Sequence, residues 1–261
     1  MAFYYFDTTD STNVRARKFA ENDSGFLCGG IKKSDFPNEF DVFHADSQTL
    51  GHGRLNRKFY SPGQNGIYIS FLFSSEKILC DFDAITPYAA VAVCKTLESF
   101  MQATSNCQIK WVNDVFVNEK KVCGILTEAV LNAKNNKIEK IIIGIGINLC
   151  GKVPTEIENI ATTCQIDSEK RDEVIQDLCK NLFEILQNQD SKKILAEYKN
   201  RSILKGKVVT VVPTMDGSQN YQAQVVDINE KFHLVVRPLC KTDEEHSNTI
   251  ELSTGEVSIR L

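Results

Sequence analysis

The stretch Lys137–Asn148, K-I-E-K-I-I-I-G-I-G-I-N, constrains the fold of this chain more than any other. It is β-branched and almost continuously apolar, the pattern of a strand buried on both faces in the middle of a sheet. Its glycines, Gly144 and Gly146, alternate within that strand, as glycine does where backbone lies close to a ligand. Strands are also expected at Phe40–Ala45, Gly66–Phe73, Cys107–Trp111, Val115–Val117 and Val122–Val130. In Gly66–Phe73, Ile67, Ile69 and Phe71 alternate with Tyr68, Ser70 and Leu72, giving the segment two different faces. Between these strands the period changes to helical. Ser11 or Thr12 caps a short helix to about Glu21. The segment Ile85–Ala103 carries one apolar stripe, with Pro87 placed in its first turn. Glu169–Gln189 is amphipathic through Val174, Leu178, Leu182 and Leu186, and Ile194–Asn200 continues helical.

After Arg201 the texture changes. Lys207–Val212, Gln222–Ile228, Phe232–Arg237 and Glu256–Leu261 are short strands parted by polar turns, among them Thr242–Thr249. Short strands at this spacing make a small barrel or sandwich, so a boundary is placed near Gly206, dividing 1–205 from 206–261.

Charge narrows the partners. The formal net charge is −4, against the basic surface that nucleic acid selects, so no nucleic-acid role is expected. The cations gather instead at 54–58, 110 and 120–121, which suits a small anionic ligand. Nine cysteines form no C-x-x-C pair and are odd in number, which fits reduced thiols. The first residues have no basic region, and no stretch reaches a membrane span of about 18 apolar residues. A soluble, cytoplasmic protein without a membrane role is therefore expected.

Three segments carry chemistry. Gly51-His-Gly-Arg-Leu-Asn-Arg-Lys-Phe59 offers glycines that let backbone approach a ligand, followed by a run of cations. Arg54 and Arg57 supply planar bidentate donors for phosphate or carboxylate oxygens. A polar, glycine-bearing loop of this kind is expected to move when empty and to order around a ligand. Its Phe59 either stacks on a base or packs away. Lys110-Trp-Val-Asn-Asp114 ends a strand in an Asn-Asp turn, where Asp114 either serves the turn alone or holds Mg²⁺ or an incoming amine. Lys121-Val-Cys-Gly-Ile-Leu-Thr-Glu128 begins a strand with a lysine, and strand alternation places 121, 123 and 125 on one face. That lysine is either an edge charge or a transition-state clamp. Gly144-Ile-Gly-Ile-Asn148 does not extend to the dinucleotide fingerprint, because position 149 is Leu. The four histidines have no ligand spacing, so no zinc site is proposed.

Taken together the motifs resemble the catalytic core of biotin protein ligases. Asp10-Ser-Thr-Asn13 is similar to the family's D-S-T-N. Gln48–Phe59 is similar to Q-x-x-G-R-G-R-x-G-R-x-W, and Lys110–Asp114 to K-W-P-N-D. Lys121–Glu128 is similar to K-x-x-G-I-L-x-E, Gly144–Asn148 to G-x-G-x-N, and Thr254–Arg260 contains the closing G-E-x-S-x-R. The resemblance implies an α+β fold: a mixed-sheet catalytic domain of the class II tRNA synthetase type, then a small SH3-like β-barrel. It implies that biotin and MgATP form biotinyl-5′-AMP, and that the acyl group then passes to a lysine of a biotin carboxyl carrier domain.

Carried over residue by residue, the resemblance assigns Ser11, Thr12, Asn13, Gln48, Gly51, His52, Gly53, Arg54, Lys121 and Gly124 to biotin. Arg54, Arg57, Phe59, Asn113 and Asn148 go to ATP and the adenylate. Arg54, Arg57, Lys121 and Asp114 act catalytically, Asp114 also standing as the candidate Mg²⁺ residue. The family's amino-terminal DNA-binding unit has no counterpart in the chain, and a homodimer is possible. The departures are His52 for arginine, Asn56 for glycine, Phe59 for the tryptophan that stacks on adenine, and Val112 for proline. In Asn229-Glu-Lys-Phe an expected glycine is missing, which predicts a longer turn. The rival readings are a lipoate or octanoate ligase of the same superfamily and a non-catalytic biotin-binding relative.

Overall fold

The computed structural model describes residues 2–21, 30–33, 39–103, 105–188, 190–213, 219–239, 248–253 and 256–259. The first sheet has eight strands: β1 (Ala2–Thr9), β2 (Gly30–Lys33), β3 (Phe40–Gln48), β4 (Gly66–Ser74), β5 (Gln108–Lys110), β6 (Asp114–Val117), β7 (Lys120–Leu131) and β8 (Ile138–Asn148). Their order is β2-β1-β3-β4-β8-β7-β6-β5. The β1–β3 pair is parallel and the others are antiparallel, so the sheet is mixed. The apolar run of β8 lies between β4 and β7, as its composition requires.

The helices are α1 (Thr12–Ala20), α2 (Phe82–Phe100), α3 (Arg171–Leu186) and α4 (Ser191–Arg201). On one face of the sheet Ile67, Ile69, Phe71 and Phe73 of β4 and Ile143, Ile145 and Ile147 of β8 join α2 and α3 in the main core. On the other face Leu72 and Ile142 pack with Ala16 of α1 in a smaller cluster. Because that second cover is short, the sheet beyond α1 borders a cleft at Tyr68, Gly144 and Gly146. Among the described residues no helix is long and apolar enough to cross a membrane.

A second, five-stranded antiparallel sheet follows, in the order β12-β11-β10-β9-β13. Its strands are β9 (Val208–Val212), β10 (Tyr221–Ile228), β11 (Leu234–Pro238), β12 (Ile250–Leu252) and β13 (Glu256–Ile259). The chain is thus α+β, with a mixed sheet first and a small antiparallel sheet second. Phe232, in the β10–β11 turn, is buried and meets Tyr88 and Tyr198 edge-on, each at 5.7 Å between ring centres. The indole N–H of Trp111 donates to its carbonyl at 2.9 Å.

Several expectations change. The strand β1 was not anticipated, and α2 begins at Phe82, so Pro87 stands beyond its first turn. The same helix ends at Phe100, three residues before the expected Ala103. Ser11 occupies the N-cap position of α1 in extended conformation, yet its side chain makes no cap bond. The β10–β11 turn is tight: Asn229 N–H donates to His233 O at 2.9 Å, and Phe232 takes φ 61° where a glycine was expected. Residues 242–247 of the Thr242–Thr249 loop lie outside the described residues. So do Thr254, Gly255 and Arg260 of the closing motif, while Glu256–Ile259 pairs with β9.

Candidate active site

The open part of the first sheet is the floor of a cleft of about 960 Å³. Gly124, Gly144 and Gly146 form that floor. Absent side chains decide what can rest there. A Cβ on Gly146 would stand 2.5 Å from the Phe59 ring, and one on Gly124 would stand 3.3 Å from it. Phe59, half-buried, therefore lies on bare backbone, with the hydroxyl-bearing ring of Tyr68 edge-on at 6.5 Å. A Cβ on Gly144 would collide with the Asn13 side-chain amide, so this glycine admits the start of α1 to the sheet.

One wall is polar and closed. Ser11, Thr12 and Asn13 are all buried at the first turn of α1. Asn13 Nδ2 donates to Glu128 Oε2 at 2.7 Å, and Ser70 Oγ donates to Asn13 Oδ1 at 2.6 Å. Thr12 N–H donates to Gln48 Oε1 at 2.8 Å, while Gln48 Nε2 donates to Ser61 Oγ at 3.0 Å. Ser61 Oγ then donates to Phe59 O at 3.0 Å. Asp10 sits at the head of this wall, accepting from Ser11 N–H at 2.7 Å and from Thr9 Oγ1 at 3.0 Å. Burial pushes its carboxyl up, but those bonds and Arg15 outweigh it and hold the pKa below the ordinary value.

The other wall is charged. The Gly51–Phe59 loop folds back on itself, with Phe59 N–H donating to Gly51 O at 2.8 Å and Gly53 N–H to Arg57 O at 2.7 Å. Arg54 Nη1 donates to Asn113 Oδ1 at 3.2 Å, and Arg57 is exposed at the mouth. Asp114 Oδ1 lies 2.7 Å from Lys121 Nζ and accepts from Asn113 Nδ2 at 3.0 Å. Lys121 Nζ stands 6.0 Å from the centre of the Phe59 ring.

Strand alternation alone misplaces Lys121. Cys123 and Ile125, two and four residues on, point into the core under α2. The pairing of β6 with β7 slips between Val115, opposite Cys123, and Phe116, opposite Lys121, leaving Val122 as an extra residue. This β-bulge turns Lys121 onto the Gly124 side, where its Nζ is 3.1 Å from the place of a Gly124 Cβ. The expectation that 121, 123 and 125 share a face is corrected for that reason.

Fourteen of the residues expected at the site line the cleft: Ser11, Thr12, Asn13, Gln48, His52, Gly53, Arg54, Arg57, Phe59, Asn113, Asp114, Lys121, Gly124 and Asn148. Gly51 stands behind the wall, where a Cβ would press on Ser61 Oγ at 2.6 Å and Phe59 O at 2.7 Å. Asn148 is anchored by donation to Thr162 O at 3.1 Å. The single tryptophan joins the two sheets as well as edging the cleft. Sequence reasoning did not give roles to Ser70, Ser61 or Glu128. The available signals were one serine in an otherwise apolar strand and a carboxylate closing the Lys121–Glu128 motif.

No group of three or more His, Cys, Asp or Glu converges as a metal site among the described residues. Asp114, with one oxygen shared by Lys121 and Asn113, does not form a resident Mg²⁺ site by itself. A hard cation of this kind keeps its waters and phosphate ligands, so it would arrive with its nucleotide.

Comparison with known proteins now bears on this cleft. Residues 19–148 match the model described as the biotin/lipoate A/B protein ligase family. The solved biotin protein ligase from Aquifex aeolicus in complex with biotin and ATP superposes with a TM-score of 0.73 at 26% identity, covering 99% of this chain and 98% of that one. The chain belongs to the biotin/lipoate A/B protein ligase family. Among curated relatives in that family, the bifunctional ligase/repressor BirA of Bacillus spizizenii is 35% identical over 172 residues, 64% of this chain and 48% of that protein. The biotin–[acetyl-CoA-carboxylase] ligase of Paracoccus denitrificans is 30% identical over 143 residues, 55% of this chain and 52% of its own length. The chain spans about half the length of these curated relatives.

Proposed function

We propose that the protein is an ATP-dependent biotin ligase. In the first step a carboxylate oxygen of biotin attacks the α-phosphorus of MgATP, the bond to pyrophosphate breaks, and biotinyl-5′-AMP forms. In the second, a lysine amine of a biotin carboxyl carrier domain attacks the acyl carbon, loses a proton, and AMP leaves. Both steps gather negative charge on oxygen, so cations fixed beside the reacting bond carry the catalysis. The single observation behind this reading is that Lys121, Arg54 and Asn113 meet the polar wall and the glycine floor in one cleft.

In this reading Ser11, Thr12, Asn13, Gln48, His52, Gly53 and Gly124 hold biotin, and Gly51 shapes the wall from behind. Phe59, Asn113 and Asn148 hold the adenylate. Arg54, Arg57 and Lys121 bear on the phosphate oxygens, displacing the contacts that Lys121 and Arg54 make with Asp114 and Asn113. Asp114, released from Lys121, faces the incoming amine or the Mg²⁺ brought by ATP. The unit up to residue 205 performs the chemistry, and residues 206–261 brace it through Phe232. The net charge of −4 favours a small-molecule and carrier function over nucleic-acid binding.

The test is biotin-dependent exchange of labelled pyrophosphate into ATP, followed by labelling of a purified carrier domain. Exchange with biotin and transfer to the carrier are expected. Exchange supported by lipoate alone, or binding of biotin with no exchange, would replace this reading with one of its rivals.

A further inference from the structure

Arg54, Arg57 and Phe59 all ride on one connection, which leaves β3 after Gln48 and enters β4 at Gly66. The ladder between β3 and β4 stops at Ala45 opposite Tyr68, so the stems of this connection part before it begins. A buried arginine from another element bridges them. Arg171 opens α3, and its side chain is only 11% exposed. Its Nη2 donates to Ala45 O at 3.3 Å, near the end of β3, and its Nε donates to Gly66 O at 3.0 Å, at the start of β4. The remaining arm, Nη1, donates to Asp46 Oδ1 at 2.6 Å. One planar group therefore reaches both stems, which a rigid fork of donors allows and a single ammonium does not.

Asp46 ties in the rest. Its Oδ2 accepts from Gln64 Nε2 at 3.1 Å, on the returning stem, and from the Tyr5 hydroxyl on β1. Burial pushes the Asp46 carboxyl up, but the bonds from Tyr5, Arg171 and Gln64 outweigh it and hold the pKa below the ordinary value. Asp46 thus stays ionised and accepts from all three. Closer to the cleft, the Tyr68 hydroxyl donates to Pro62 O at 3.1 Å, and the same ring meets Phe59 edge-on. A buried ion pair is by itself weak evidence of stabilisation, because apolar residues of similar volume often serve as well. Such residues cannot, however, bond carbonyls on two diverging strands at once.

We propose that Arg171 and Asp46 are positioning residues that clamp both stems of the 49–65 connection and thereby aim Arg54, Arg57 and Phe59 at the nucleotide. The clamp rests on these bonds alone, whereas its effect on ATP rests on the functional reading above. Neither residue lines the cleft, so both act through the backbone they hold. With loose stems, the connection has to be ordered at the expense of nucleotide binding, so the loss falls on affinity.

The test compares the intact protein with Arg171→Lys, with the double variant Asp46→Leu/Arg171→Met, and with Leu178→Ala. Lysine keeps a charge beside Asp46 but loses the fork, and the apolar pair removes the buried charges together. Leu178 is buried in the main core on the same helix, so its truncation destabilises without deleting any of these bonds. Each protein is studied at the same interval below its own unfolding temperature. The readouts are trypsin cleavage after Arg54, Arg57 or Lys58, KM for ATP in pyrophosphate exchange, and the saturated exchange rate. Arg171→Lys and the double variant are expected to be cleaved at these bonds roughly fivefold faster than the unsubstituted protein. Their KM for ATP should rise roughly tenfold, while the saturated rate changes by less than about threefold. Leu178→Ala should match the unsubstituted protein in both cleavage and KM.

Cleavage and KM altered no more in Arg171→Lys than in Leu178→Ala would overturn the proposal. So would a double variant that keeps both values of the unsubstituted protein; if it does not fold, Arg171→Lys decides. Should the unsubstituted protein exchange no pyrophosphate, the functional reading fails instead, and the cleavage rates still decide the clamp.

Discussion

The two walls of the cleft are built on opposite principles. In the first wall Thr12, Asn13 and Ser70 are buried and Glu128 behind them is half-buried, and every group already has a partner inside the protein. The Arg54–Asn113–Asp114–Lys121 wall is half-exposed, and its charges are held by one another across 2.7 to 3.2 Å. The first wall is finished before a ligand arrives. The second holds its cations in temporary partnerships that an oxyanion would take over. Preorganised internal bonding suits recognition of an acyl ring, whereas exchangeable ion pairs at the open cleft suit charge that appears only during reaction.

Substitutions can break this contrast, the largest first. Lys121→Ala should slow pyrophosphate exchange by about 3 kcal/mol, a hundredfold or more, while thermal stability holds. A rate within a factor of two of the unsubstituted protein would remove Lys121 from the chemistry. Gly144→Ala should act in the opposite sense. Its Cβ meets the Asn13 amide inside the finished wall, so unfolding should lose about 2 kcal/mol, or roughly 4–8 °C in Tm. Calorimetric unfolding measures this directly, and an unchanged Tm would mean that α1 slides away easily.

Gly146→Ala and Phe59→Ala sharpen the contrast at smaller scale. Both disturb only the ring resting on the floor, 2.5 Å from the place of the new methyl in the first case. Each should weaken ATP binding by about 1 kcal/mol, with Phe59→Trp restoring or improving it. Ligand titration is the readout, and no change would mean that the ring does not meet the base.

The smallest effect concerns acid. In the folded protein burial is outweighed by the bonds from Ser11 N–H and Thr9 Oγ1, with Arg15, which hold the Asp10 carboxyl below its ordinary pKa. A depressed carboxyl contributes stability that is complete above its unfolded pKa and is lost as pH falls through the lower folded value. The polar wall should therefore bind biotin evenly down to about pH 4 and weaken only below it. Asp10→Asn should weaken binding at neutral pH and flatten that acid limb. Affinity measured from pH 7 to 3 checks this.

Much of the fold was legible because its signals are local. The β8 run announced a central strand, the helical stripe of α3 announced its packing face, and the loss of helical period after Arg201 announced the second sheet. β1 was missed because its aromatic and polar residues, A-F-Y-Y-F-D-T-T, do not alternate cleanly. The part Trp111 plays between the two sheets was not legible, since its partner, the carbonyl of Phe232, lies 121 residues away. Ser70 and Glu128 went without a role because a buried serine or a strand carboxylate has no meaning until its neighbour across the sheet is known.

By itself the sequence determined which chemical groups are present and in what order: bare glycines, a run of cations, an amide beside a carboxylate and a lysine heading a strand. Composition and local period are enough for that, because they depend only on residues near in the chain. The tertiary structure alone decided which way those groups face. A strand's parity holds only until its pairing slips, so one extra residue at Val122 carries Lys121 from the core side to the cleft. The meeting of Asn13 with Ser70 and Glu128 likewise depends on the pairing of β4, β8 and β7, which brings together residues more than fifty positions apart.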